Sequence, residues 1–216
     1  MSQPKLITAN SWRNGFAGAV FAATLISTTV TSWAQAAPPL AERLALCAGC
    51  HNLDGNSSIP ENPNLAGLHA DYLERQMRDL KVGKRKSATM SAIMGMVDAK
   101  EFAALASHFS EQKPKKVPRV DASTVAAGKE IYDDGITASA VPSCSGCHNE
   151  DGSGSDKYPR LAGQHSAYVV LQLLNLKSGE RDNDERGVMR AVAKRMNEAQ
   201  ILSVAKYIAT LQESEK

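Results

Sequence analysis

Two five-residue segments use all four cysteines of this 216-residue chain and place each pair beside a histidine. They are Cys47-Ala48-Gly49-Cys50-His51 and Cys144-Ser145-Gly146-Cys147-His148. The C-x-x-C-H form is typical of covalent c-type haem attachment, in which two thiols bond the vinyl groups and the imidazole binds the iron. The sequence therefore predicts two covalently bound haem c groups. The predicted thioether residues are Cys47, Cys50, Cys144 and Cys147, and the predicted iron ligands are His51 and His148.

Two other uses of paired cysteines fit the sequence less well. A structural zinc site with two C-x-x-C pairs usually has them about 15–20 residues apart, whereas Cys50 and Cys144 are far more distant in the chain. A dithiol redox motif is expected near a βαβ pattern. The residues around both motifs instead indicate short helices joined by polar loops, so haem attachment is the leading interpretation.

The first 36 residues have the layout of a secretory signal. Lys5 and Arg13 precede an apolar stretch over residues 15–30, and Ala34-Gln35-Ala36 follows as a cleavage site. We expect cleavage after Ala36 and a periplasmic location. A retained membrane anchor is the weaker alternative, because the apolar stretch is shorter than the roughly 20 residues of a spanning helix and contains Thr and Ser.

The charge of the exported chain is balanced. The full sequence has 25 basic and 23 acidic residues, and removal of residues 1–36 takes away only Lys5 and Arg13. Nucleic-acid binding needs a clustered basic face, so no nucleic-acid partner is predicted. The one basic run, over residues 113–119, contains two prolines and predicts a stiff linker, whose charges are either solvated or guide an acidic partner.

An internal repeat divides the chain into two copies of one domain. Pro63-Asn64-Leu65-Ala66-Gly67-Leu68-His69 returns 96 positions later as Pro159-Arg160-Leu161-Ala162-Gly163-Gln164-His165. At the same spacing Tyr72, Gln76, Leu80 and Gly83 match Tyr168, Gln172, Leu176 and Gly179. We predict a signal peptide over residues 1–36, a first domain over 37–112, a linker over 113–119 and a second domain over 120–216.

Each copy is predicted to be all-α. The middle helix shows apolar residues at helical spacing and ends at a capping glycine, and the last helix begins with a capping box. Domains of this size have small cores, so we expect the first and last helices to pack together and the haem to supply much of the core. The predicted first helices cover residues 39–46 and 124–133, the middle helices 72–80 and 168–176, and the last helices follow Asp98-x-x-Glu101 and Asn197-x-x-Gln200.

Seven methionines and three further histidines compete for the second axial position of the two irons. A ligand should recur in register between the copies, whereas a packing methionine can be replaced by any apolar residue. Among the methionines only Met90 and Met189 pair, at the offset of 99 set by the last helix. His69 and His165 also recur in register, so bis-histidine ligation is the alternative.

Together these motifs resemble the dihaem cytochrome c4 family of class I cytochromes c. The resemblance covers the whole chain after residue 36 and includes both C-x-x-C-H motifs and both Pro-x-Leu-Ala-Gly segments. In the family the distal ligand lies 18 residues before an aromatic residue of the last helix. Counting back from Tyr207, and from His108 where the first aromatic is replaced, gives Met189 and Met90. The resemblance implies two tandem class I cytochrome c domains, each wrapped around its haem.

The resemblance further implies an electron carrier, not an enzyme, that works between a cytochrome bc-type complex or a small electron carrier and a terminal oxidase. Loose association with the membrane surface belongs to the same expectation. Two alternatives stay open at this point: a haem subunit of a dehydrogenase complex, and a dihaem peroxidase. Arg85 and Arg181, which follow the capping glycines, are either surface arginines or partners of haem propionates.

Overall fold

The computed structural model describes residues 40–116 and 121–212. The signal peptide predicted over residues 1–36 lies outside these ranges. Within them the chain forms helices and no strand, apart from one isolated bridge between Ile136 and Val141. The all-α prediction is therefore confirmed. None of the helices in the described ranges is long and apolar enough to cross a membrane.

The described helices fall into two sets, one for each copy of the repeat. The first set is α1 (Leu40–His51), α2 (Ala70–Lys81), α3 (Ala88–Gly95) and α4 (Phe102–Ser110). The second set is α5 (Ala122–Asp134), α6 (Ser145–His148), α7 (Ser166–Ser178), α8 (Val188–Lys194) and α9 (Glu198–Ile208). Short 3-10 turns cover Ala99–Glu101, Thr137–Ser139 and Glu185–Gly187. The short helices α3 and α8 were not predicted from the sequence.

The first helix of the first copy is longer than predicted. Instead of ending before the haem motif, α1 continues through it to His51. The segment contains no proline and only one glycine, Gly49, so nothing in it strongly opposes a helix. As a result the first haem motif is itself helical and continuous with the helix that precedes it.

In the second copy the first helix and the haem motif are separate. Helix α5 ends at Gly135, which has a φ of 77°, and residues 136–144 form a loop before α6. Two hydrogen bonds of Tyr132 connect the second motif to α5. The Tyr132 carbonyl accepts from the Cys144 N–H at 2.8 Å, and the buried Tyr132 hydroxyl donates to the Asn149 carbonyl at 2.7 Å. The two haem motifs therefore have the same sequence form but different local supports.

The middle and last helices agree with the sequence pattern. Gly83 follows α2 with a φ of 74° and Gly179 ends α7 with a φ of 86°, in the left-handed region that favours glycine. Both predicted capping boxes are present, at Asp98 before α4 and at Asn197 before α9. The predicted apolar faces of the last helices are buried: Phe102, Leu105 and Phe109 in the first copy, and Ile201, Val204 and Ile208 in the second.

Each copy has its own hydrophobic core, one built from residues 44–109 and the other from residues 131–211. As expected, the first and last helices of each copy pack together. In the first copy Arg43 Nε on α1 donates to Glu101 Oε1 at 2.8 Å. In the second, α5 approaches α9 so closely that a Cβ on Gly128 would lie 2.1 Å from the Ser203 carbonyl oxygen. The residue boundaries predicted for the two domains stay predictions.

We expect Gly128→Ala to lower the free energy of unfolding by about 1–3 kcal/mol, because the added methyl must push apart the α5 and α9 backbones. Urea unfolding of the holoprotein followed by circular dichroism measures this change. Gly95→Ala is the matched control, since a Cβ there meets nothing within 4 Å. Equal stability of the Gly128→Ala variant and the control would contradict the close approach.

Candidate haem sites

The three functional side chains of the first motif lie close together on helix α1. Cys47 is half-buried, Cys50 is exposed and His51 is buried. Spacings of three and four residues along a helix put Cys47 beside both of the others. In the second motif Cys144 is half-buried, and burial raises the pKa of its thiol to about 11.

The two motif histidines are oriented in the same way. The Nδ1 atom of His51 lies 2.9 Å from the Pro63 carbonyl oxygen, and the Nδ1 atom of His148 lies 2.9 Å from the Pro159 carbonyl oxygen. Since a carbonyl can only accept, each Nδ1 carries the proton. Each Nε2 then keeps a lone pair for a metal.

Burial also favours the uncharged form of both imidazoles. Only 5% of the surface of either His51 or His148 is exposed, and this burial lowers their pKa values against the opposing effect of the hydrogen bonds to Pro63 and Pro159. A neutral, oriented imidazole next to two cysteines is the donor set that haem c requires. The residues present therefore fit the group.

Two backbone hydrogen bonds to a glycine carbonyl, which the sequence analysis missed and which we name the glycine clip, fix the segment that follows each proline. The carbonyl of Gly55 accepts from the N–H groups of Leu65 and Ala66 at 2.7 and 3.1 Å. Gly152 accepts from Leu161 and Ala162 at the same two distances. The signal was in the sequence, since an Asp-Gly pair follows both motifs in register. These clips join the loop after the haem motif to the segment that orients its histidine.

Substitution of Gly55 tests the clip. Gly55→Ala should cost more stability than Gly83→Ala, because both glycines have positive φ but only at Gly55 would a Cβ crowd the backbone, 2.7 Å from the Ala66 nitrogen. We expect a loss of about 1–2 kcal/mol for Gly83→Ala from the backbone conformation alone. A further 1–3 kcal/mol or so should be lost for Gly55→Ala. Urea unfolding of the two holoproteins gives the comparison, and equal losses would argue against the clip.

The methionines occupy distinct environments. Met90 on α3 and Met189 on α8 are half-buried and pack at the margin of the first and second core, respectively. Met94 and Met196 are core residues with 2% exposure, whereas Met96 is 55% exposed. The two methionines that pair in sequence thus lie on matching short helices that follow the middle helices.

The two remaining in-register histidines contact the opposite domain. His69 Nε2 donates to the Ser153 carbonyl at 3.1 Å, and His165 Nε2 donates to the Ser57 carbonyl at 3.0 Å. Each histidine begins the middle helix of its own domain, and each serine follows the haem motif of the other. These two bonds are related by the internal repeat, as in a symmetric dimer interface.

Further reciprocal bonds join the domains nearby. The Asn64 N–H donates to Gln164 Oε1 at 2.9 Å, and Gln164 Nε2 donates back to the Asn64 carbonyl at 2.9 Å. Asn64 Nδ2 donates to the Gly163 carbonyl at 2.9 Å. The interface is therefore ordered by polar contacts between the Pro-x-Leu-Ala-Gly segments that also hold the motif histidines.

Within the described ranges no cluster of three or more His, Cys, Asp or Glu side chains could hold a metal ion. In these residues the two cysteine pairs belong to separate domains. The fold and the two sites define a protein with two covalent haem c groups, one in each helical domain.

Comparisons with known proteins agree with this class. Residues 41–113 and 125–212 each match the family model of cytochrome c. Cytochrome c4 of Azotobacter vinelandii is 36% identical over 202 residues, covering 87% of this chain and 96% of the relative. A thiosulfate dehydrogenase electron acceptor of Thiomonas intermedia is 36% identical over 182 residues, covering 82% of each chain. The crystal structure of reduced recombinant cytochrome c4 from Pseudomonas stutzeri superposes with a TM-score of 0.75 at 32% identity, covering 82% of this chain and 100% of that chain.

The chain therefore belongs to the cytochrome c family, among the two-domain cytochromes c4. It is an electron carrier rather than an enzyme, and it contains two covalent haem c groups attached through Cys47 with Cys50 and Cys144 with Cys147. The predictions of family, fold class and cofactor are confirmed.

Proposed function

We propose that His51 and Met90 bind the iron of the first haem and that His148 and Met189 bind the iron of the second. Haem c supplies a one-electron iron couple when bound, and a methionine sulfur raises its potential relative to a second histidine. With both axial positions occupied, neither iron has an open site for a substrate. This closed coordination suits electron transfer and disfavours the peroxidase alternative.

One observation supports methionine over the bis-histidine alternative. His69 and His165 both use their Nε2–H groups on the opposite domain. Ligation through Nε2 would remove each ring from the interface and break a bond that recurs in both halves. Met90 and Met189 each pack against the core of their own domain and lie half-buried on short helices.

Leucine substitutions test the two sulfur ligands. Met90→Leu and Met189→Leu keep an apolar side chain of similar volume but remove the sulfur, so each should abolish about half of the near-infrared sulfur-to-iron band of the oxidised holoprotein. Each should also lower the reduction potential of one haem. Met77→Leu is the control, since Met77 packs against the first core and lacks a partner in the repeat.

Substitution of the interface histidines His69 and His165 tests the bis-histidine alternative. His69→Gln and His165→Gln should leave the sulfur-to-iron band intact. If the band is absent from the unmodified protein, or if the histidine variants alone change the axial spectrum, bis-histidine ligation replaces the proposal.

The proposed location is the periplasm, after cleavage at Ala36, with loose association at the membrane surface. The proposed donor is a cytochrome bc-type complex or a small carrier, and the proposed acceptor is a terminal oxidase. A second candidate donor is a dehydrogenase of inorganic sulfur compounds. The Thiomonas intermedia relative, a thiosulfate dehydrogenase electron acceptor, supports this candidate.

Reduction kinetics distinguish the two donors. We expect the oxidised holoprotein to be reduced rapidly by a cytochrome bc-type complex supplied with quinol. Rapid reduction only by a thiosulfate dehydrogenase supplied with thiosulfate would instead support the second candidate. Ferricyanide, a small one-electron acceptor without a protein surface, measured in the same assays, controls for nonspecific electron transfer.

A further inference from the structure

A lysine near the end of each middle helix reaches the joint between the methionine-bearing short helix and the last helix. Lys81 is the last residue of α2, and Lys177 is the last but one residue of α7. Lys81 Nζ donates to the Met94 carbonyl at 2.9 Å and to the Val97 carbonyl at 2.6 Å. Lys177 Nζ donates to the Met196 carbonyl. We name these two side chains the joint lysines.

The joint lysines bind the same point of the repeat. Val97 and Met196 each directly precede the capping box of the last helix. Both are buried, with 1% and 2% of their surface exposed. Each lies seven residues after the candidate sulfur ligand of its own copy, Met90 or Met189. Each lysine therefore holds the buried end of the segment that carries the proposed ligand.

The lysine contact recurs although the loops before the two short helices differ. The lysines recur at a spacing of 96 and the methionines at 99, so the second loop is three residues longer. It contains the 3-10 turn over Glu185–Gly187. The amino-terminal contacts differ as well: Ser87 Oγ accepts from the Met90 N–H at 3.3 Å, whereas Asp184 Oδ2 accepts from the Arg190 N–H at 3.0 Å. The bond from the lysine is thus an anchor that both copies share.

The two methionine-bearing helices need an anchor because they are short. Helix α3 has eight residues and α8 has seven, and isolated helices of this length are not stable in water. Carbonyls at the carboxyl end of a helix lack partners within it, and a lysine ammonium satisfies such carbonyls. Charged donors also make stronger hydrogen bonds than neutral ones. A sulfur on a short helix is held only as firmly as the helix itself.

We infer, on the basis of the proposed ligation by Met90 and Met189, that Lys81 and Lys177 are positioning residues for the two sulfur ligands. A sulfur in the sixth position closes the iron to added ligands until the sulfur leaves. Each lysine, by fixing the far end of its segment, lowers the population of molecules in which the sulfur is off the iron. An added ligand reports this population, because its apparent affinity scales with the fraction of competent molecules.

Imidazole titration of the oxidised holoprotein, followed by loss of the near-infrared sulfur-to-iron band, tests the inference. Lys81→Leu should raise the apparent imidazole affinity of one haem, seen in about half of the band, by about threefold to tenfold. Lys177→Leu should do the same for the other haem. The expected change for Lys81→Leu is modest because Lys81 is exposed and water competes for its ammonium.

Matched variants separate the lysine bond from the lysine charge. Lys81→Arg keeps a charged donor of similar reach and should restore most of the original imidazole affinity. Lys86→Leu removes the same charge from an exposed residue of the loop after α2, and Lys206→Leu removes it from an exposed residue of α9. Both of these controls should leave the imidazole affinity unchanged.

Three outcomes would overturn the inference. Unchanged imidazole affinity in both Lys81→Leu and Lys177→Leu would mean that the joint lysines do not position the sulfur ligands. An equal increase at both haems in either variant would indicate a general loosening of the protein. An equal increase in the Lys86→Leu control would assign the effect to charge alone. Absence of the band from the unmodified protein is a different result, since it would overturn the proposed methionine ligation itself.

Discussion

The hydrogen bond from the Nδ1 atom of each motif histidine to a proline carbonyl is the contact on which both haem sites depend. It sets the tautomer and the direction of Nε2, and the geometry of an iron ligand is set by such outer contacts. The glycine clip ties the segment that follows each proline to the loop after the motif. A backbone acceptor has no side chain to lose, so the contact that orients each imidazole does not depend on the side chain at the proline position.

The same segments also build the domain interface. Asn64 and Gln164 follow the two prolines closely and bond each other across the boundary, while His69 and His165 reach the loops of the opposite domain. Two copies of one domain in a single chain can use the isologous contacts of a symmetric dimer without a loss of association entropy, since the linker keeps the local concentration high. Orientation of each ligand and docking of the two domains are thus properties of one continuous structure.

The sequence was most informative where local chemistry decides the structure. The C-x-x-C-H motifs, the glycines after α2 and α7 and the two capping boxes were predicted from a few residues each, because their geometry depends on those residues alone. The continuation of α1 through its motif was missed, since the motif is compatible with either support, whereas the predicted end of the first helix of the second copy at residue 133 agrees with the end of α5 at Asp134. The residues that form the interface were missed for another reason. His69 and His165 recur in register, but a repeat does not show that a polar side chain meets the other copy.

The loop between α5 and α6 makes the two halves unequal. In the first domain the motif ends a 12-residue helix, and in the second it forms a helix of only four residues. Aligned peptide dipoles add up along a helix and place partial negative charge at its carboxyl end, so the two motif histidines lie in different electric fields. Two haems in identical surroundings would have the same reduction potential, and an electron would favour neither of them. A loop that lies outside both haem motifs thus makes the surroundings of the two histidines unequal.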